Sequence, residues 1–217
     1  MGLKHLLPKV GDFNADILCL QECEELPSDD FEGFEFHWVG KNKNKGLGIL
    51  TKGSSEFLEY VYQPNFIYFS PVALGNLLVI GVWAFNGRAK KFSNESSGYF
   101  LDALDHYKDT ILSFQKVLVL GDFNNGPQWD KPNHRNNFSD INVAFNEMGL
   151  ESLYHKMTGE EFGKEKMATY FHHKNHQKPF HIDYIYSNLD TCKSVSLGNS
   201  SEWLNFSDHI PLTADFL

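Results

Sequence analysis

The chain has 217 residues, enough to bury a substantial core but few enough for a single domain spanning residues 1–217. Hydrophobic residues make up 41% and aromatic residues 15%, a composition that excludes an intrinsically disordered protein. The net charge is −9, from 19 basic and 28 acidic residues, which argues against a protein that grips long duplexes by neutralising their phosphates.

No segment has the pattern of a membrane span or of a secretion signal. The longest apolar run, residues 77–85, has the length of a strand, and residues 1–10 lack the extended apolar region of a signal peptide. The three cysteines include no Cys-x-x-Cys pair and form no disulfide or zinc framework. We expect a cytoplasmic protein with no membrane span, and we expect it to act as a monomer.

The predicted secondary structure consists mostly of short strands. In chain order, strand-like apolar runs occupy residues 15–22, 34–40, 46–52, 57–62, 77–85, 116–122, 181–187 and 211–217. Helices are predicted over residues 96–114, where apolar residues recur at steps of three and four, and over about 140–148, between Ser139 or Asp140 and Gly149. This order favours an α/β or α+β sandwich of two packed mixed sheets with helices outside.

The strongest local motif is GDFN at residues 121–124, directly after the apolar run KVLVL. Because strand side chains alternate, Asp122 and Asn124 are predicted on one face at the mouth of a buried strand. Together they can orient and deprotonate a water molecule. Taken alone, the motif is more typical of a strand-ending turn. A second GDFN at 11–14 follows no buried strand, so Asp12 and Asn14 receive no role and are expected to be exposed and remote from the site.

Three further motifs carry groups suited to metal or phosphate chemistry. The run DILCLQE ends in Glu22, a carboxylate placed to hold a hard cation such as Mg²⁺, although an acidic loop is the competing interpretation. The segment SDH holds Asp208 and His209, and HIDYIY holds Asp183, which can orient the ring of His209. Each motif alone is weak evidence, because an isolated Asp or His is more often structural.

In order along the chain, QE, GDFN after a buried strand, HIDY and SDH resemble the endonuclease/exonuclease/phosphatase superfamily over residues 15–217. The resemblance implies a four-layered α/β sandwich of two mixed β-sheets flanked by helices. It also implies roles: Glu22 and Asp208 in the metal site, Asp122 and Asn124 on the attacking water, and Asp183 with His209 on the scissile phosphate. Mg²⁺ is the implied cofactor, with Mn²⁺ as a substitute.

Two positions depart from the family pattern. In WAFN (83–86), relatives carry a His or Tyr plus an Asn on the phosphate, so Asn86 and Trp83 are candidates for substrate binding. Trp83 cannot act as an acid or base, however, and is better explained as a core residue or a stacking platform. Relatives also begin with a buried strand ending in an Asn, and residues 1–14 contain no equivalent, so we expect that this first strand is missing.

Three functions remain open on the sequence. The first is a metal-dependent nuclease that hydrolyses phosphodiester bonds of DNA or RNA by in-line water attack; three locally basic loops, 41–45, 131–135 and 172–178, are compatible with it. The second is a phosphatase or phosphodiesterase of small molecules or lipid head groups. The third is an inactive paralogue that acts as a binding module. A basic, aromatic-lined groove would favour the first, and a closed pocket the second.

Overall fold

The computed structural model describes residues 14–27, 31–85 and 99–217. The strands are β1 (Ile17–Cys23), β2 (Phe34–Asn42), β3 (Lys45–Lys52), β4 (Glu56–Phe57), β5 (Phe69–Leu74), β6 (Leu77–Trp83), β7 (Lys116–Asp122), β8 (Glu151–Ser152), β9 (Tyr170–Phe171), β10 (Pro179–Phe180), β11 (Asp183–Ser187), β12 (Cys192–Leu197) and β13 (Leu212–Phe216). The α-helices are α1 (Phe100–Ser113), α2 (Phe138–Glu147), α3 (Leu153–Thr158) and α4 (Ser200–Trp203). No helix in this part of the chain is long and apolar enough to cross a membrane.

One large mixed sheet organises the molecule. Its strand order is β4-β5-β6-β7-β11-β8, in which β6 and β7 are parallel and all other neighbours are antiparallel. The helices α1 and α2 pack on one face of this sheet. The antiparallel sheets β1-β3-β2 and β12-β13 pack on the other face. The predicted α/β sandwich of sheets with flanking helices is confirmed.

The strand β7 shows why its sequence is apolar without alternation. Val117 and Val119 face the helices, whereas Leu118 and Leu120 face the smaller sheets. A strand covered on both faces has no solvent side on which to place polar residues. Its bounds agree with the predicted run 116–122.

Both predicted helices are present, with different starting points. The predicted apolar face of the first, Phe100, Leu104, Tyr107 and Ile111, is buried. The second begins at Phe138 rather than near residue 140, because Asp130 in the preceding loop accepts hydrogen bonds from the backbone N–H groups of Phe138 (2.6 Å) and Ser139 (3.0 Å). Gly149 follows its end with a φ of +76°, as its predicted position requires.

The strand prediction for residues 57–62 was wrong beyond Phe57. Leu58 instead begins a turn, in which its carbonyl accepts from the N–H groups of Val61 (3.1 Å) and Tyr62 (3.0 Å). The strands β5 and β12 were not predicted. In β5, Pro71 suggests a break, but its carbonyl accepts from Leu58 N (3.0 Å), so its missing N–H lies on the side away from β6.

Candidate active site

The first pair of site residues stands at the end of β7. Asn124 donates from its backbone N–H to Asp122 Oδ1 (2.8 Å) and from Nδ2 to Asp122 Oδ2 (2.5 Å), and Nδ2 also contacts the carbonyl of Ala84 (3.0 Å). The predicted pairing therefore occurs, but not through strand alternation. The strand ends at Asp122, and Asn124 has a left-handed φ of +47°, so a tight turn folds the amide back onto the carboxylate.

The second pair lies on the neighbouring strand. Asp183, the first residue of β11, is the register partner of Asp122. Its Oδ2 lies 3.0 Å and its Oδ1 3.2 Å from His209 Nδ1. The hydroxyl of Thr169, which is fully buried, accepts hydrogen bonds from the N–H groups of Ile182 and Asp183, both at 3.0 Å, and so fixes the start of this strand.

These charges strongly influence one another. Burial and the nearby charge of Asp183 hold the pKa of the Asp122 carboxyl well above its usual value. Partial burial would lower the pKa of His209, but the carboxylates of Asp183, Asp122 and Asp208 outweigh burial and raise this pKa to about 10. His209 is therefore cationic at neutral pH, and it balances part of the negative charge.

Glu22 lies at the end of β1, where the ladder with β3 is irregular. The residue has a φ of +57°, which turns its side chain away from the strand's regular alternation. Its carboxylate lies 2.8 Å from Lys45 Nζ and is half-exposed. Sequence reasoning placed Lys45 in a basic loop but could not pair it with Glu22, because that contact depends on the register of β1 against β3.

All six predicted residues, Glu22, Asp122, Asn124, Asp183, Asp208 and His209, line one concave surface. We call it the central groove: a cleft of about 770 Å³ with β1 along one side, β13 along the other and β7 and β11 beneath. The six residues lie together at one end of it. Asn14 is exposed and precedes the start of β1, at the opposite end of that strand from Glu22.

Two candidates for substrate binding remain, Trp83 and Asn86. Asn86 and Asp12 lie outside the described residues. Trp83 is 1% exposed and packs against Tyr68 and Phe85, with ring centroids 4.6 and 4.7 Å away. Its surroundings are those of a core residue, and Nε1 has no hydrogen-bond partner among the described residues. The ring thus offers no open face for stacking.

The donor chemistry fits a hard divalent cation. Carboxylate oxygens of Asp122 and Asp183 lie within 4.8 Å of each other, and the carboxylates of Glu22 and Asp208 line the same end of the groove. Carboxylate oxygens are the ligands that Mg²⁺ and Mn²⁺ prefer. Burial and, after it, the charge of Asp183 raise the pKa of Asp122, and a bound cation would offset that charge.

A row of aromatic rings extends outward from His209, and no motif in the sequence predicts it. The centroid distances are 4.6 Å from His209 to Tyr170, 6.4 Å from Tyr170 to Phe180 and 5.1 Å from Phe180 to Trp129. Trp129 is 43% exposed. We call these four residues the aromatic row. Its members are up to 80 positions apart in the sequence, and only the pairing of β9 with β10 brings Tyr170 beside Phe180.

Asp122 and Asp183 stand on adjacent strands of an α/β sandwich, one paired with Asn124 and the other with His209, an arrangement suited to phosphoester hydrolysis. The profile of the Endonuclease/Exonuclease/phosphatase family matches residues 2–209, and the chain belongs to this family. This family comprises nucleases and phosphatases, and the chain is a phosphoester hydrolase of that kind. No curated protein sequence gives a significant match.

Solved structures share the fold. The 3′ phosphatase NExo from Neisseria, bound to a product DNA hairpin, is 22% identical with a TM-score of 0.72, and the alignment covers 100% of this chain and 96% of that one. An AP endonuclease from Archaeoglobus fulgidus is 20% identical with a TM-score of 0.72, covering 99% and 93%. Truncated TDP2 from Caenorhabditis elegans is 16% identical with a TM-score of 0.62, covering 99% and 89%.

Proposed function

We propose that the chain is a Mg²⁺-dependent nuclease that cleaves phosphodiester bonds of DNA or RNA by in-line attack of water. The observation that carries this proposal is the pairing of Asp122 with Asp183 across adjacent strands, which sets a water-activating pair beside a phosphate-binding pair. Asp122, Asn124, Asp183, Asp208 and His209 carry the chemistry, and Glu22 and Asp208 hold the metal.

Asp122 is the general base. Asn124 holds both of its carboxylate oxygens, so the carboxylate has one orientation toward the groove. Its raised pKa makes it a stronger proton acceptor than an ordinary carboxylate, because a base works best when its pKa approaches the working pH. It takes the proton from the attacking water as the new P–O bond forms.

His209 is the cationic group on the phosphate. Asp183 binds Nδ1, so Nε2 is left to donate to a non-bridging oxygen of the scissile phosphate. The interaction strengthens as the pentacoordinate transition state gains negative charge. A Mg²⁺ ion held by Glu22 and Asp208 would act as a Lewis acid and help to stabilise the same charge. Mn²⁺, which accepts the same oxygen ligands, should substitute for it.

The aromatic row supports a nucleic-acid substrate over a small phosphate ester. The site opens along a groove rather than closing into a pocket, and the exposed ring of Trp129 offers a face on which a base can stack. Lys174 borders a second cavity beside Asp208 and adds local positive charge. NExo bound to a DNA hairpin and the Archaeoglobus AP endonuclease have the same fold, which agrees with this choice. The net charge of −9 favours short, single-stranded or damaged substrates over long duplexes.

We further propose a cytoplasmic monomer. Every residue of the candidate site comes from one chain, and Cys19, Cys23 and Cys192 are all free thiols, as a reducing compartment would keep them. Size-exclusion chromatography with light scattering should give a mass of one chain, and a dimer at working concentration would contradict the proposal.

A substrate panel tests the activity. Single-stranded and duplex oligonucleotides, a small chromogenic phosphodiester, a sugar phosphate and a phospholipid head-group ester would be incubated with Mg²⁺, Mn²⁺ or EDTA. We expect the single-stranded oligonucleotide to be cleaved fastest, with no cleavage in EDTA. Faster hydrolysis of the sugar phosphate or of the lipid ester would assign the enzyme to the small-molecule class. A panel with no hydrolysis would favour a binding module.

A further inference from the structure

Lys45, from the basic loop 41–45, brings a second cation to the candidate site. Its Nζ lies 2.8 Å from a carboxylate oxygen of Glu22 and 5.4 Å from the centroid of the Trp83 ring. A cation over an aromatic face is attracted by the negative charge of that face, most strongly over tryptophan. Two contacts, with elements far apart in the sequence, therefore hold the ammonium group in one place.

The position of the Trp83 ring places this ammonium group on the same face of the large sheet as the candidate base. Trp83 on β6 is the register partner of Asp122 on β7, and register partners point to one face of a sheet from strands about 4.8 Å apart. The strand β11, which carries Asp183 with its partner His209, borders β7 on the other side. Lys45 and His209 therefore approach Asp122 from opposite sides.

The backbone that carries Lys45 is held firmly. Lys45 begins β3 directly after a two-residue turn and pairs with the last residue of β2. The next residue, Gly46, packs so closely on Trp38 that a Cβ there would lie 2.3 Å from the ring. The carbonyl of Lys43 in the turn accepts a hydrogen bond from the N–H of Glu25 (2.7 Å), which ties the turn to the chain after β1. Lys45 can thus change its partner by rotating its own side chain, with the strand in place.

The ion pair with Glu22 is suited to exchange rather than to stability. The two side chains are 48% and 50% exposed, and a pair in such contact with water contributes little. Glu22 is also the carboxylate that we assign to the metal ion. Once a divalent cation takes this carboxylate, Lys45 loses its partner and is repelled by the new charge, while the ring of Trp83 still holds it nearby. An additional anion relieves this repulsion, and a substrate phosphate is such an anion.

We propose that Lys45 exchanges Glu22 for a phosphate oxygen of the substrate when the metal ion binds. In the metal-free protein the ammonium group neutralises Glu22, and in the loaded site it donates to the phosphate from the side opposite His209. This inference rests on the proposed metal-dependent nuclease. It goes further by assigning a phosphate-binding residue and by coupling metal binding to substrate binding.

Two binding measurements without hydrolysis test the proposal. The full chain carries Asp122→Asn, which we expect to block cleavage, alone or with Lys45→Met, Lys45→Arg or Lys43→Met. Lys43 is the matched control, because it lies in the same hairpin, is 87% exposed and pairs with Glu25 at 3.6 Å instead of with Glu22. Electron paramagnetic resonance of free Mn²⁺ measures metal binding. Fluorescence anisotropy of a labelled single-stranded oligonucleotide, in saturating Mn²⁺ and in EDTA, measures substrate binding, and a gel verifies that the oligonucleotide stays intact.

Without oligonucleotide, Lys45→Met should bind Mn²⁺ roughly 2- to 5-fold more tightly, because a competing half-exposed ion pair is lost. In Mn²⁺ it should bind the oligonucleotide roughly 10- to 100-fold more weakly, which is the size of one hydrogen bond to a charged group. In EDTA this loss should be much smaller, because the ammonium group then pairs with Glu22. Lys45→Arg, which keeps the positive charge, and Lys43→Met should bind the oligonucleotide as the Asp122→Asn protein does.

The role of Lys45 is overturned if Lys45→Met and Lys43→Met bind Mn²⁺ and the oligonucleotide equally well. It is also overturned if Lys45→Met loses the same affinity in EDTA as in Mn²⁺, or if Lys45→Arg binds as weakly as Lys45→Met. Each of these results leaves the proposed nuclease intact. If none of the proteins binds Mn²⁺, the metal-dependent nuclease and the role of Lys45 fail together.

Discussion

At the residue scale, Glu22 already has a cationic partner. Lys45 Nζ lies 2.8 Å from the carboxylate that we assign to the metal, so the lysine and a metal ion would compete for it. Glu22→Gln should raise the Mg²⁺ concentration for half-maximal activity by roughly 10- to 100-fold, with recovery at high Mg²⁺ or in Mn²⁺. Lys45→Met should shift this concentration in the opposite direction, because it frees the carboxylate. A metal titration of both variants beside the parent checks this pair. An unchanged midpoint in Glu22→Gln would remove Glu22 from the metal site.

Trp129 is the outermost member of the aromatic row. Its contribution to substrate binding can be measured separately from the rate of the hydrolysis step. Trp129→Ala should raise KM for a single-stranded oligonucleotide by roughly 5- to 100-fold, since stacking one base contributes about 1–3 kcal/mol. Turnover of a small chromogenic phosphodiester, which has no base to stack, should not change. Tyr60→Ala is the matched control, because Tyr60 is a 77% exposed aromatic residue that does not line the groove. Equal losses on both substrates would point to a structural role for Trp129.

At the scale of secondary-structure elements, the close approach of β6 to β7 depends on one glycine. Gly121 has a φ of +138°, and a Cβ there would lie 2.1 Å from the carbonyl oxygen of Val82 and 2.7 Å from Gln21 Nε2. Gly121→Ala should therefore lower the free energy of unfolding by more than about 2 kcal/mol, since strain and overlap add.

Gly75→Ala is the control for that variant. Gly75 also has a positive φ, +57°, but its Cβ would meet no atom within 4 Å, so only about 1 kcal/mol of backbone strain is expected. Urea unfolding of both variants measures the difference. Similar losses would mean that the approach of Gly121 to β6 is not what requires a glycine.

The segment after α3 is held by a nearly buried Glu165. Burial would raise the pKa of its carboxyl, but hydrogen bonds from His155 (3.0 Å) and from the N–H of Gly163 (2.9 Å) outweigh burial and lower it. A group whose pKa is lower in the folded state stabilises the fold above its unfolded pKa, near 4.5, and loses that contribution as the pH falls through the folded value.

Glu165→Gln should accordingly reduce stability at pH 7 and flatten the loss of stability below about pH 4.5. Glu161→Gln serves as the control in the same loop, because Glu161 pairs with Lys164 in full exposure and surface pairs contribute little. Thermal unfolding at about pH 3 to pH 7, a range that includes the usual carboxyl pKa, measures the stability of both variants and of the parent. Parallel curves for the parent and Glu165→Gln would contradict the prediction.

At the scale of the whole molecule, long apolar runs were the most predictable feature. The strand over 116–122 was predicted to the residue, because its central residues 117–120 are apolar without alternation and pack against layers on both faces. The strand predicted at 57–62 failed because local hydrogen bonds from Val61 and Tyr62 to Leu58 compete with pairing. The strand β5 was missed because Pro71 suggests a break in the sequence. The pairing of β5 with its neighbours is needed to show that the absent N–H of Pro71 faces away from β6.

The order of the motifs along the chain predicted which six residues form the site, but it did not predict the contacts that each of them makes. Each contact depends on how distant elements meet. This holds for the Asn124 turn beside Asp122, for the hydrogen bond that Thr169 accepts from the start of β11, and for the ion pair of Glu22 with Lys45. The aromatic row depends in the same way on the pairing of β9 with β10. Motif order thus predicts which residues converge, whereas tertiary register decides what each of them touches.

The central claim is that Asp122 removes a proton from water at a metal-assisted site, and the chain contains its own control. Asp122→Asn keeps the shape and hydrogen-bonding capacity of the side chain but removes the basic oxygen, whereas Asp12→Asn makes the same change in the other GDFN segment. Initial rates of oligonucleotide cleavage would be measured for both variants and the parent, in Mg²⁺ and in EDTA, with circular dichroism to verify folding.

We expect Asp122→Asn to lose roughly 10²- to 10⁴-fold in rate, Asp12→Asn to match the parent, and all three proteins to be inactive in EDTA. Near-parental turnover by Asp122→Asn, or full parental activity in EDTA, would contradict the account.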